Sequence, residues 1–295
     1  MNEIAVGVST GGSATMRAVR WAAERASASG STVRLVHVVD DSTVGARPEA
    51  PSGAVSGEAT SATAAGTEQR ARECLEEAAA LVADVDDRIA IVTTLEHGSP
   101  VDVFERISAD AEMLVVGSDW HGGRRASRRR VLSLRIAAVS RAAVAVIPDL
   151  DPADRRGVVV GVDGSHISDH ALAFAADEAA RTGEPLIAVH SWDVVAMVGG
   201  EYGYGAPLIA ADDLSRAESE ILDAALAPVV AEHPGLEVRR SVVAGDPVHD
   251  LTEAASEASM LVVGSHGRGA LARFLLGSVS QGVLADLVAP TIVLR

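Results

Sequence analysis

A chain of 295 residues with 48% hydrophobic content and a formal net charge of −16 has the length of two ordinary domains, each able to bury a core. The acidic balance excludes a general affinity for nucleic acid, because it repels a phosphate backbone unless a basic face is segregated. No apolar run reaches the length of a membrane span, and the single Cys74 excludes an internal disulfide and has no His or Cys at metal-ligand spacing. All 25 basic side chains are arginines, so a GxxxxGK[ST] phosphate loop is excluded too. The start, "MNEIAVGVSTGG", has no basic stretch leading into an apolar one, and the expectation is a cytoplasmic protein.

In chain order, "AVGV" at 5–8 reads as a short strand and is followed by the loop "STGGSAT" at 9–15. A second strand carries "LVHV" at 35–38. Residues 43–70, rich in Pro, Gly, Ser and Thr, read as a flexible loop running into a helix. "HGSPVDV" at 97–103 and the strand "EMLVVGS" at 112–118 come next. The arginine-rich "HGGRRASRRRVLSLR" at 121–135 precedes a last strand, "VAVIP" at 144–148. The segment 148–157, with two prolines and mixed charge, reads as a linker.

The chain then repeats itself. "VVGV" at 159–162 matches 5–8, "AVHS" at 188–191 matches 35–38, "AGDPVHD" at 244–250 matches 97–103, and "SMLVVGS" at 259–265 matches 112–118. Apolar β-branched runs at Val158–Val162, Leu186–His190, Val238–Val243, Met260–Gly264 and Thr291–Leu294 suit parallel strands buried on both faces. Ala-rich segments of helical period lie between them at Asp169–Thr182, Leu214–Ala231 and Val248–Ala258. These patterns predict an α/β chain of two doubly wound, Rossmann-like domains, 1–149 and 157–295, each with a five-stranded parallel sheet.

In such sheets a ligand sits beyond the carboxyl ends of the strands, where the strand order reverses. Two segments of the second copy fall there: "GVDGS" at 161–165 and "GSHGRGALARFLLGSVS" at 264–280. Gly264, Gly267 and Gly277 permit positive φ and close backbone approach, and exposed N–H groups then form an anion nest. A helix beginning near Ser278 points its N-terminal N–H groups at the same place. Asp163 offers a carboxylate to a ribose hydroxyl or a metal. Ser165 and Ser168 read as caps of the first helix. His37 and His190, ending matching strands, read as structural histidines with satisfied partners. Trp21, Trp120 and Trp192 form no stacking ladder for bases.

G-x2-G-x9-G-S after an apolar strand, with "VGVDGS" opening the domain, resembles the ATP-binding class of universal stress proteins, which are adenine nucleotide α-hydrolase-like in fold. The likeness extends over both halves, so the chain resembles a tandem universal stress protein. The resemblance implies a nucleotide-dependent stress-response regulator that takes ATP with Mg²⁺. It places Gly161, Val162 and Asp163 at the ribose, Ser191 near adenine, and Val263 and Gly264 beside the nucleoside. Gly267, Arg268 and Gly269 would wrap the phosphates, and Gly277, Ser278 and Val279 would close over them. Ser265 and His266 complete the loop. In the family the last strand pairs domains across a twofold axis. The two halves could therefore pair within the chain, with a homodimer and an unidentified regulatory protein as further partners.

The first copy departs from this pattern. Gly117 matches Gly264, but Trp120 stands for Gly267, Arg130 for Gly277, Val131 for Ser278, and Ser9 or Thr10 for Asp163. One ATP per chain, in the second copy, is the expectation. The arginines at 124–130 read as a solvated basic loop or as a site for another anion, and "RRAS" at 124–127 has the form of a basophilic kinase site at Ser127. Two other functions stay open. One is slow ATP hydrolysis or an α-hydrolase-type enzyme, since "STGGSAT" resembles the SGGxDS loop of ATP pyrophosphatases without its Asp-Ser ending. The other is a ligand-free assembly scaffold.

Overall fold

A computed structural model describes residues 2–10, 12–40, 57–118, 128–151, 154–192, 211–267 and 276–295, without the side chains of 57–64, 128–131 and 211–212. The chain divides into two compact units, Met1–Asp149 and Leu150–Arg295. Residues expected in the linker already bond into the second unit: Arg156 N donates to Glu257 O at 3.0 Å and Arg155 to Val288 O at 2.6 Å. The proline-rich loop up to residue 56, the segment 198–207 and the arginine run through Ser127 lie outside the described residues.

The N-terminal unit alternates β1 (Glu3–Gly7), α1 (Ser13–Ser29), β2 (Thr32–Val39), α2 (Gly57–Val85), β3 (Ile91–His97), α3 (Pro100–Ile107), β4 (Met113–Ser118), α4 (Arg128–Val139) and β5 (Ala143–Pro148). Its strands are parallel in the order β3-β2-β1-β4-β5. The C-terminal unit alternates β6 (Val158–Gly161), α5 (His166–Thr182), β7 (Leu186–Trp192), α6 (Ala211–Glu232), β8 (Val238–Ala244), α7 (Pro247–Ala255), β9 (Met260–Gly264), α8 (Ser278–Ala285) and β10 (Thr291–Leu294). Its parallel order is β8-β7-β6-β9-β10. In each unit the first and fourth strands are neighbours, so the chain reverses direction across the sheet there.

The central strands are buried on both faces, as their unbroken apolar runs require: Ile4, Ala5 and Val6 in β1, and Val158, Val159 and Val160 in β6. The first helix of each unit lays an alanine stripe on this sheet, Ala18, Ala22 and Ala26 in α1 and Ala171, Ala175 and Ala179 in α5. Small side chains bring helix and strand close together. A Cβ at Gly117 would stand 2.6 Å from Ala14 O, and one at Gly264 would stand 2.7 Å from Ile167 Cγ2. That packing explains why this glycine occurs in both copies. Both helices stop at a left-handed glycine, Gly30 with φ 70° and Gly183 with φ 66°, whose N–H bonds back to the last turn.

Candidate functional site

The β6–α5 turn forms one wall of a cleft at the carboxyl ends of the C-terminal sheet. Gly164 turns the chain with φ 74°, and Asp163 Oδ1 accepts from Ser165 N at 2.9 Å. Ser165 caps α5 by accepting from Ser168 N at 3.3 Å, and Ser168 Oγ returns a bond to Ser165 O at 2.8 Å. The Asp163 carboxylate is thus held at the strand end by its own turn.

The β9 exit forms the opposite wall. The Ser265 carbonyl accepts from Gly277 N at 2.7 Å and from Ser280 Oγ at 2.9 Å. These two bonds pin the base of the loop that leaves at Gly267 and returns at Leu276. They set His266 and Gly267 beside Gly277 and Ser278, which gives the nine-residue spacing a structural reason. Gly277 is the N-cap of α8, and among the described residues no side chain caps that helix. Its first N–H groups therefore remain available to an anion.

The resulting cleft has a volume of about 450 Å³. It is lined on the β6 side by Gly161, Val162 and Asp163, on the β7 side by Val189 and Ser191, and from α7 by Pro247 and Leu251. Val263, Gly264, His266 and Gly267 line it from β9, and Gly277, Ser278, Val279 and Ser280 from α8. Of the sequence-derived candidates, Ser265 is fully buried behind this lining, with Oγ 3.0 Å from His266 Nδ1. Arg268 and Gly269 lie outside the described residues.

Three findings differ from the sequence reading. First, Ser168, Val189, Pro247, Leu251 and Ser280 also line the cleft. Pro247 stands inside the repeated motif at 244–250, so the repeat itself carried a signal for it. Second, none of Gly264, Gly267 and Gly277 has positive φ. They are small because space is short: a Cβ at Gly277 would stand 3.2 Å from His266 Cα, and one at Gly267 would collide with Asp163 Oδ2. Third, the two strand histidines are not equivalent. His190 is buried with Nδ1 2.6 Å from Val162 O and Nε2 2.6 Å from Glu218 Oε2. His37 is also buried, yet among the described residues its Nδ1 has no hydrogen-bond partner.

Burial pushes the pKa of His37 below its ordinary value of 6.5, and the nearby Val8 carbonyl opposes that shift without reaching hydrogen-bond geometry at Nδ1. A group depressed in the folded state binds its proton more readily when unfolded. Its contribution to stability is therefore present above pH 6.5 and is lost as pH falls from there through the folded pKa. His37→Gln is expected to flatten the acid loss of stability of the N-terminal unit between pH 7.5 and 5.5. Hydrogen exchange of residues 1–149 at the two pH values checks it. An acid loss identical to that of the wild type would contradict it.

The equivalent cleft of the N-terminal unit has a volume of about 180 Å³. Ser9 and Thr10 stand where the other unit has Asp163, and Phe104 and Leu132 stand where it has Leu251 and Val279. The Phe104 ring approaches so closely that a Cβ at Gly7 would stand 3.1 Å from Cζ.

Among the described residues no group of three or more His, Cys, Asp or Glu is placed to hold a metal ion, and no helix is long and apolar enough to cross a membrane.

The universal stress protein family model matches residues 1–147 and 155–295. A universal stress protein of Mycobacterium tuberculosis is 39% identical over 223 residues, 71% of this chain and 70% of that protein. One of Mycolicibacterium smegmatis is 32% identical over 284 residues, 94% of this chain and 92% of that protein. Among solved structures, that of a universal stress protein from Archaeoglobus fulgidus covers 100% of this chain and 96% of its own, with a TM-score of 0.67 at 19% identity. At that identity the likeness is one of fold.

Proposed function

Because the chain belongs to the universal stress protein family, we propose that its C-terminal unit binds ATP and that the bound nucleotide regulates a stress response through a protein partner. The observation that carries this reading is the joining of the α8 N-terminus, whose N-cap is Gly277, to the Asp163 turn across a cleft of about 450 Å³. The helix end and the loop backbone favour phosphates, and the carboxylate suits ribose hydroxyls. Mg²⁺ fits as an ion held mainly by the phosphates, with Asp163 as a carboxylate that lines the cleft, since Mg²⁺ commonly takes one or two carboxylates beside substrate oxygens. When bound it would neutralise phosphate charge.

The N-terminal unit takes no nucleotide on this reading, because its smaller, Phe104-filled cleft lacks the acid. Isothermal titration with ATP is expected to give one site per chain. Gly277→Asp should weaken that site by at least about a hundredfold, because an N-cap carboxylate both satisfies the α8 N–H groups and repels phosphate. Two equivalent sites, or unchanged binding by the variant, would overturn the proposal.

A further inference from the structure

We propose that Ser191 and Asp250 together read the 6-position of the bound base and select a 6-amino purine over a 6-oxo purine. The inference rests on the nucleotide reading above and gives that site its base selectivity.

The strand order β8-β7-β6-β9-β10 separates the two ends of the cleft. At the β9 end stand Gly267, Gly277 and the N-terminus of α8, backbone groups suited to anions. At the β7 end the lining is Val189, Pro247 and Leu251, apolar surfaces suited to a flat base, and Ser191 is the polar side chain among them. The polarity gradient therefore orients a nucleotide with its base toward β7.

Ser191 Oγ donates its hydrogen to Asp250 Oδ2 at 2.5 Å. A carboxylate cannot return a proton, and a serine hydroxyl has only one. With that proton committed, Ser191 offers the cleft lone pairs alone. The geometry is fixed from both sides. Ser191 is in parallel register with Val243, so its backbone cannot swing away from the sheet. Asp250 lies in the first turn of α7, which Asp246 caps by accepting from Val248 N at 2.8 Å. Gly245 leaves the carboxylate its room, since a Cβ there would stand 2.7 Å from Asp250 Oδ2.

An acceptor that cannot reverse its role accepts from an exocyclic amine and repels a carbonyl oxygen at the same place. Sites built in this way reject the wrong group strongly, because the mismatch leaves buried polar atoms facing like partners.

The test measures dissociation constants for ATP and ITP with the wild type, Ser191→Ala and Asp250→Asn. The wild type is expected to prefer ATP by at least about tenfold. Ser191→Ala, which removes only the hydroxyl, should lose most of that preference. In Asp250→Asn the amide can donate to Ser191 Oγ, which frees the hydroxyl proton to meet a carbonyl, so the ratio should fall toward one. ATP binding with no preference in the wild type, or a preference that survives both substitutions, overturns the inference and leaves the nucleotide reading standing. Failure of the wild type to bind either nucleotide overturns that reading and this inference with it.

Discussion

Glu218→Ala is expected to destabilise the C-terminal unit by about 2–4 kcal/mol, among the larger effects available to a single substitution. The Val162 carbonyl can only accept, so His190 Nδ1 must carry a hydrogen at 2.6 Å from it. Nε2 and Glu218 Oε2, also 2.6 Å apart, then share a second proton. Both side chains are buried, and the pair ties α6 to β7 and, through Val162, to the residue before Asp163. Removing the carboxylate leaves either a buried unpaired cation or a bare buried nitrogen, together with the space the glutamate filled. Glu218→Gln separates charge from geometry. Its amide can donate to an unprotonated Nε2, so it should cost less than half as much. Because two units can unfold separately, the readout is hydrogen exchange of peptides from β6, β7 and α6, with residues 1–149 as internal reference. Equal exchange in Glu218→Ala and the wild type would show that the pair contributes nothing to stability.

Glu218 also marks the boundary of what the sequence makes legible. The repeat and the alternation of strands and helices follow from local patterns, because a strand buried on both faces must read as an unbroken apolar run, whereas the pairing of first with fourth strand is seen only in the structure. Element ends follow less well. β7 continues to Trp192 because β8 offers partners as far as Ala244, and polar Ser191 hides this from an apolar-run reading. α5 begins at His166, ahead of the apolar period, because Ser165 caps it. α7 stops at Ala255 where Ser256 N turns back to Glu253 O, short of the expected Ala258.

Within the site, the glycine spacing and Asp163 are readable because a backbone that must approach something closely excludes side chains. Leu251 and the partnership of His190 with Glu218 are not. They depend on where α7 and α6 cross the sheet, and no periodicity within those helices records which residue faces a given strand end. His37 and His190 illustrate the limit: they match in position, yet one is buried between two oxygens and the other lacks a partner at Nδ1.

Gly267→Val should weaken nucleotide binding by about a hundredfold while leaving stability nearly unchanged. Gly267 is exposed at the rim of the cleft, so the added methyl groups disturb no core, and surface changes of this kind usually stay within about 0.5 kcal/mol. The Cβ, however, would collide with Asp163 Oδ2. One of the two must move. The loop at Gly267 is anchored through Ser265 to Gly277 and Ser280, whereas Asp163 is a side chain whose Oδ1 rests on the Ser165 N–H. The carboxylate therefore swings out of the position from which it would meet a ribose. On this account the valine acts through the aspartate, and a double-mutant cycle exposes that dependence. Asp163→Ala and Gly267→Val should each cost a similar factor in ATP affinity by calorimetry, and the double variant should cost little more than either alone. Fully additive losses would mean that the valine obstructs the phosphates directly. Gly267 would then be small for the sake of the ligand and not for the sake of Asp163.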